Sequence, residues 1–325
     1  MPVSPVTPSP SREPVRVRPM LEADLDEADR VMRLAFGTFL GLPDPARYMG
    51  DANYVRPRWL ANPSGALVAG EGGGIVGSAF VTHWGTVGFF GPLTVRPDRW
   101  DGGVAKALLV AVEDRFAEQG TRLCGLNTFP GSPKHLGLYQ KFGYLPGALI
   151  PTLARPIPHD ALGPHASLFS EEPKGGAESL LTECREMTDA VYEGLDLRDE
   201  IQSIAHHDFG DTVFLREGSR LEGLAACHIG PGTEAGGGTC YVKFGAVRPG
   251  PEAARSFEAL VDACAALGAR RGAHRLVAGV NAARRGACSA LLRMGFRMER
   301  VGVSMVRPDV AGYNGPSHYV MDDWQ

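Results

Sequence analysis

Two stretches of this chain, separated by roughly 150 residues, read alike, and that repetition constrains the fold more than any other feature. FGPLTVRPDR, starting at Phe90, is echoed by FGAVRPGP from Phe244, and LYQKFGY from Leu138 by LLRMGF from Leu291. The same strand–helix–strand–helix–strand order runs through both regions, as an internal duplication would give. A chain of 325 residues has room for two such units at roughly 150 residues each. With 44% hydrophobic residues, each copy can bury a core of its own. The stretch PIPHDALGPHASLFSEEPKGG, 156–176, carries four prolines and no sustained periodicity, and reads as a linker. The expected organisation is a disordered Pro/Ser/Thr-rich tail at 1–13, a first domain at 14–155 and a second at 177–325.

Local patterns fill in the copies. In the first, a strand at 15–18 leads into a helix whose apolar face is Leu21, Leu25, Ala28, Met32 and Ala35. Asp24 and Glu27, three apart, suggest a capping box at its start. Strand-like segments follow at 66–69, 75–84 and 86–95, then a helix from about Gly103 to Gln119 and a strand at 122–127. Ser132 and Pro133 fit the N-cap and first position of a short helix, and a last strand begins after Gly143. In the second copy the strands are expected at 220–227, 239–247 and 276–280, with helices at 253–267 and 283–294 and a last strand from Gly295.

Charge and composition exclude several classes. A net charge of −4 with no basic tract argues against a dedicated nucleic-acid binder, because neutralising phosphates takes clustered Lys and Arg. No apolar run approaches the ~18–20 residues of a membrane-spanning helix, and MPVSPVTPSPSRE lacks a secretory core. A soluble, cytoplasmic protein is expected. The six cysteines form neither a CxxC pair nor a Cys/His metal spacing, so reduced core thiols and no metal site are expected.

The segment Gly91 to Phe116 carries the chemistry. A strand ends at Val95, a short loop holds Gly102 and Gly103, and a helix begins at once. Unpaired N–H groups and partial positive charge at a helix start suit a phosphate, and small residues let the backbone come close. Arg99 and Lys106 add positive charge, while Asp101 is tolerable only if it points outward. By themselves these residues fit equally a strand–helix turn that binds nothing.

With the downstream HLGLYQKFGY (His135 to Tyr144), the order of elements resembles the GNAT-type N-acetyltransferases. Gly103 and Ala105 match the small positions of that family's (Gln/Arg)-x-x-Gly-x-(Gly/Ala) loop. Leu93, Thr94 and Val95 resemble the strand before it, and Leu138-Tyr139 with Gly143-Tyr144 the later Leu-Tyr-x-x-x-Gly-Phe signature. The likeness covers 15–155 well and the second half faintly. It departs at the Gln/Arg position, where Trp100 stands with Arg99 one residue earlier.

The resemblance implies an α/β architecture of two tandem GNAT domains, each a mostly antiparallel twisted sheet flanked by helices. It implies acetyl-CoA as co-substrate, held by Leu93, Thr94, Val95, Arg99, Trp100, Asp101, Gly102, Gly103, Val104, Ala105, Lys106 and Ser132, with Tyr139 as the acid that meets the departing thiolate. The general base is not legible: His83, His135 and a water chain all remain open. Direct attack by a small-molecule or peptide amine in a ternary complex is expected, with carbonyl polarisation by a backbone N–H near Leu93 or Val95. In the second copy Arg255, Ser256 or Phe257 crowds the helix start and Leu291 replaces the tyrosine, so that copy is expected to be degenerate. Phe36, Phe39, Tyr48, Tyr54, Arg56, Arg58 and Trp59 lie in a variable stretch expected to line the acceptor side or pack as a flap. Two alternatives are a mycothiol-synthase-like tandem enzyme, whose carboxy-terminal copy is the active one, and a non-catalytic acyl-CoA-binding regulator.

Overall fold

The structure, a computed structural model, describes residues 14–161, 163, 166–173, 175–307 and 312–324. The expected tail, 1–13, lies outside the described residues. The first half runs β1 (Arg16–Pro19), α1 (Leu25–Phe39), α2 (Val55–Ala61), β2 (Ala66–Glu71), β3 (Gly74–Trp84), β4 (Val87–Phe90), β5 (Thr94–Val95), α3 (Val104–Glu118), β6 (Leu123–Thr128), α4 (Pro133–Gln140) and β7 (Leu145–Pro156). The second runs β8 (Ser167–Leu168), α5 (Ala177–Val191), α6 (Arg198–His206), β9 (Gly210–Glu217), β10 (Arg220–Gly230), β11 (Gly236–Val247), α7 (Ala253–Arg270), β12 (Arg275–Gly279), α8 (Arg285–Arg293), β13 (Arg297–Val306) and β14 (Val320–Met321).

The fold is a mixed, mostly antiparallel sheet flanked by helices, in the order β1-β2-β3-β4-β6-β13-β7-β12-β11-β10-β9-β8. Among the described strand pairs only β4 with β6 and β11 with β12 are parallel. The repeat is preserved in element order, but the two copies share one sheet and exchange their last strands. β13, from the second half, pairs with β6 of the first, Val303 opposite Thr128. β7, from the first half, pairs with β12 of the second, Ala154 opposite Val277. The exchanged strands also pair with each other along most of their length. The stretch read as a linker contributes β8, which adds to the sheet edge beside β9.

The exchange is fixed by burial. Met305 of β13 sits in the first half's core with Leu108, Val112, Phe116 and Tyr144. Leu153 of β7 sits in the second half's core with Phe257, Leu260 and Leu276. A third cluster is built from both copies: Trp84, Val87 and Phe89 pack with Leu181, Phe214, Phe244 and Trp324. Burying such side chains stabilises each by about 1.5–3 kcal/mol, so the seam is as much core as either half.

Local expectations fail in two places. Asp24 and Glu27 do not form a capping box on α1. Asp24 instead accepts from Leu21 N at 2.7 Å and from Arg18 at 2.6 and 2.9 Å, closing a 3₁₀ turn, while Glu27 pairs with Arg30. The stretch 86–95 is two strands, because β4 stops at Phe90 and the chain jogs through Gly91–Leu93 before β5 pairs with β3.

Candidate active site

That jog creates the site. β4 and β6 run parallel as far as Phe89 and Gly125 and then part. β5 leans onto β3, with Ser78 opposite Thr94 and their hydroxyls 2.9 Å apart. The other edge of β6 is taken by β13. Between the parted strands lies a cavity of about 920 Å³. Of the residues expected to hold the co-substrate, Leu93, Thr94, Val95, Arg99, Trp100, Asp101, Gly103, Val104, Ala105 and Lys106 line it, and so does Tyr139.

Gly102 and Ser132 are not among the lining residues. Gly102 N–H is turned back to Arg99 O at 3.2 Å. Ser132 caps α4, its hydroxyl accepting from His135 N at 3.4 Å, which is the role its position before Pro133 foretold.

Part of the lining comes from the start of α3. Its N-cap is Gly103, at φ +81, and no side chain caps it. The first intrahelical bond is Ala107 N to Gly103 O, so the N–H groups of Val104, Ala105 and Lys106 have no acceptor within the helix. Together with the positive helix end they form an anion seat beside the cavity. The neighbouring charges are arranged around it. Arg99 is paired with Glu71, and Asp101, which lines the cavity, is paired with Lys134 at 2.8 Å, so its charge is offset beside the helix start. Lys106 is exposed and lines the cavity. Trp100, at the position where Gln or Arg was expected, donates its indole N–H to Val95 O at 2.8 Å. It ties the loop to β5 in place of offering a polar side chain. Because Val95 O faces away from β3, and Arg96 N bonds Val76 O on β3, the Val95 N–H also lies on the cavity side of the strand.

Another part of the lining comes from α4. His135 and Tyr139, four residues apart, share one face and both line the cavity. Tyr139 is buried, edge-on to Phe90 with ring centroids 5.7 Å apart. Burial pushes its phenol up to about 12, against the opposing pull of a hydrogen bond with Thr128. His135 packs on Phe39 at 4.9 Å, and burial, then the Lys134 charge, holds its imidazole below the ordinary value. His83 is elsewhere: it lines a separate pocket of about 230 Å³ with Asp199, Glu200 and Lys243.

The acceptor-side stretch divides. Phe36, Phe39, Tyr48 and Tyr54 line the cavity. Arg56 is exposed and Trp59 donates to Met20 O at 3.0 Å. Arg58 is buried in a polar chain that crosses the seam: it grips Glu234 at 2.7 and 3.1 Å, and Lys243 bridges Glu234 at 2.8 Å and Glu200 at 3.0 Å. Arg58 also donates to Gly91 O, so the second half helps hold the jog that opens the cleft. Sequence reasoning missed this chain and missed the cavity wall supplied by Arg300, Val301 and Gly302 of β13.

The second copy differs at the equivalent place. β11 and β12 part after Val242 and Ala278, but β14 pairs with the freed edge, Gly245 opposite Met321 and Ala246 opposite Val320. In the second copy that edge is occupied by β14.

Among the described residues no group of three or more His, Cys, Asp or Glu is arranged to hold a metal, and no helix is long and apolar enough to cross a membrane. No curated protein sequence matches the chain. A putative acetyltransferase from Pyrococcus horikoshii shares the fold with a TM-score of 0.67 at 11% identity, over 95% of both chains. A GCN5-related N-acetyltransferase from Sphaerobacter thermophilus gives 0.56 at 15%, over 92% of this chain and 98% of that one. A GCN5-related glucosamine N-acetyltransferase region of a fungal multi-domain β-N-acetylglucosaminidase gives 0.61 at 16%, over 92% of this chain and 39% of that one. The model of the acetyltransferase (GNAT) family matches residues 29–144, which span the jog, the anion seat and Tyr139. Residues 29–144 are thus similar to the GNAT acetyltransferases, a family that uses acetyl-CoA, and the chain as a whole shares the fold of solved acetyltransferases.

Proposed function

We propose that the first half transfers acetyl from acetyl-CoA to a primary amine by direct attack in a ternary complex. The observation that carries this reading is one cleft lined by both the uncapped α3 start and Tyr139. The pyrophosphate sits on the N–H groups of Val104, Ala105 and Lys106, and the acyl arm runs along Leu93–Val95. Val95 N–H takes up the charge that develops on the carbonyl oxygen as the C–N bond forms. The amine proton passes to water or to His135, whose imidazole is kept neutral by burial. As the C–S bond breaks, Tyr139 donates a hydrogen bond to the sulfur. Against a thiol of ordinary pKa ~8.5, a phenol pushed to about 12 makes complete transfer uphill on the order of a thousandfold, so the phenol stabilises the thiolate more than it protonates it. The occupied groove beside β11 favours activity in the first half, and so speaks against the mycothiol-synthase-like arrangement.

Because β7 and β13 are exchanged, the test uses the full chain and not separated halves. Tyr139→Phe should lower kcat for thiol release from acetyl-CoA about a hundredfold with the KM for acetyl-CoA retained. A kcat equal to that of the unmodified protein would remove Tyr139 from the reaction. Tight acetyl-CoA binding without turnover on any amine would replace the enzyme by a coenzyme-binding regulator.

A further inference from the structure

The cavity has a second cationic feature, far from the anion seat in the chain and supplied by the other half. Arg300 lies on β13 opposite Thr152 of β7, and both line the cavity. β13 meets the end of β6 at Val303 opposite Thr128, so Arg300 lies three residues past the point where β6 stops. It is exposed, which on this strand means exposed to the cavity that it lines.

Its surroundings differ from those of two other cavity cations. Arg99 is engaged by Glu71 and Lys134 by Asp101. No carboxylate among the described residues lies within ion-pairing distance of Arg300; its guanidinium hydrogen-bonds Tyr48 and has Tyr54, Tyr241 and Asp323 as its nearby charge partners. Partial burial works against its charge and these neighbours favour it, with a net rise, so the group stays a cation. Beside it runs an aromatic wall. Phe36 stacks on Tyr48 with centroids 5.4 Å apart, and Phe129 lies 4.9 Å from Phe39 and 6.3 Å from His135. A partly desolvated guanidinium with no carboxylate in ion-pairing contact, at the edge of an aromatic wall, is suited to an anion carried on an apolar body.

The anion's charge is also constrained. One guanidinium, already under the influence of the Asp323 carboxyl, suits a monoanion. A phosphate dianion would call for further cations beside Arg300, and the remaining lining lysines, Lys106, Lys134 and Lys141, belong to the start of α3 and to the two ends of α4.

We propose that Arg300 anchors the carboxylate of the acceptor, and that the acceptor is an amine with an aromatic or apolar body that also bears a carboxylate, an amino-acid-like molecule acetylated on its amine. This deepens the acetyl-transfer reading and rests on it for the fate of the amine, while the carboxylate anchor is a binding claim in its own right. The second half then acts in specificity: through the exchanged strand it supplies an arginine to the first half's cleft, with no carboxylate among the described residues in ion-pairing contact with it.

The test uses the full-length protein and amines matched in all but the carboxylate. Phenylalanine is compared with phenethylamine, and 4-(aminomethyl)benzoate with benzylamine, the second pair holding the two groups further apart. In at least one pair the carboxylated amine should be preferred in kcat/KM by about ten- to a hundredfold, the range of a charge-assisted hydrogen bond. Arg300→Gln should collapse that ratio toward one, and Arg300→Lys should restore part of it. A ratio that survives Arg300→Gln, or a preference for the decarboxylated partner in both pairs, would overturn the anchor. Calorimetric titration with 3-phenylpropanoate, which has the carboxylate and no amine, separates the two claims. Binding that is lost in Arg300→Gln supports the anchor even if no amine is acetylated, in which case it is the transfer reading that falls. Binding equal in both proteins, or absent from both, overturns the anchor whatever the transfer assay shows.

Discussion

Asp323 is a carboxyl that folding carries into the core, where it is 2% exposed and accepts the Tyr241 hydroxyl at 2.7 Å. Burial pushes its pKa up to about 6 from 3.8, and the Tyr241 bond and the Arg300 charge do not offset that. Glu200 is as deeply buried, yet Lys243 at 3.0 Å, with His228, holds it down to about 2. The difference is a cation in contact against one at a distance. Because Asp323 titrates higher in the fold than in the unfolded chain, stability is lost as pH rises from about 4 to about 6, and the full cost, on the order of 3 kcal/mol, stands above that window. Asp323→Asn keeps the shape and an acceptor for Tyr241 while removing the charge. Its urea midpoint relative to the unmodified protein should therefore climb between pH 4.5 and 7.5. A pH-independent difference would mean that Asp323 does not titrate in this range.

At the scale of elements, the anion seat depends on a backbone geometry that a side chain resists. Gly103 sits at φ +81 at the start of α3, and Gly120 at φ +65 just beyond its end. An alanine at either position meets no neighbouring atom, so the cost is the left-handed conformation itself, about 1–2 kcal/mol. Gly103→Ala and Gly120→Ala should lower the melting temperature by similar amounts. Only Gly103→Ala should raise the KM for acetyl-CoA if the pyrophosphate sits as proposed, because its new methyl stands beside the N–H groups assigned to it. Equal KM values in the two variants would move the coenzyme away from this helix start. The seat was legible in the sequence because a strand, small residues and a helix follow one another within a dozen positions, and Ser132-Pro133 was legible for the same reason. The jog at Gly91–Leu93 was not, since it arises where β5 finds β3 as its partner. Nor was the failure of the α1 capping box, where Arg18 outcompetes the helix for Asp24. Arg300 and the β14 plug lay beyond reach because both depend on strand pairings made across the repeat.

At the scale of the molecule, strand exchange changes what the duplication means. In two beads on a string each copy would keep its own last strand and open independently. Here β6 has β13 as its neighbour and β12 has β7, so neither half can complete its sheet without the other. The mixed cluster around Trp84, Phe89, Phe244 and Trp324, with Trp84 donating to Glu200 at 3.2 Å, ties the halves again on the helical side. Opening one half exposes the partner's core, so local opening there approaches the cost of global unfolding. In native-state hydrogen exchange under rising urea, the amides of β2 and β3, towards one end of the sheet order, and of β9 and β10, towards the other, should merge into a single isotherm with the same slope. Separate isotherms, with β9–β10 protected after β2–β3 has exchanged, would show two folding units that merely touch. In that case the second half could be removed without unfolding the cleft, and the Arg58–Glu234 and Arg300 contributions to it would be adornments of a self-sufficient domain.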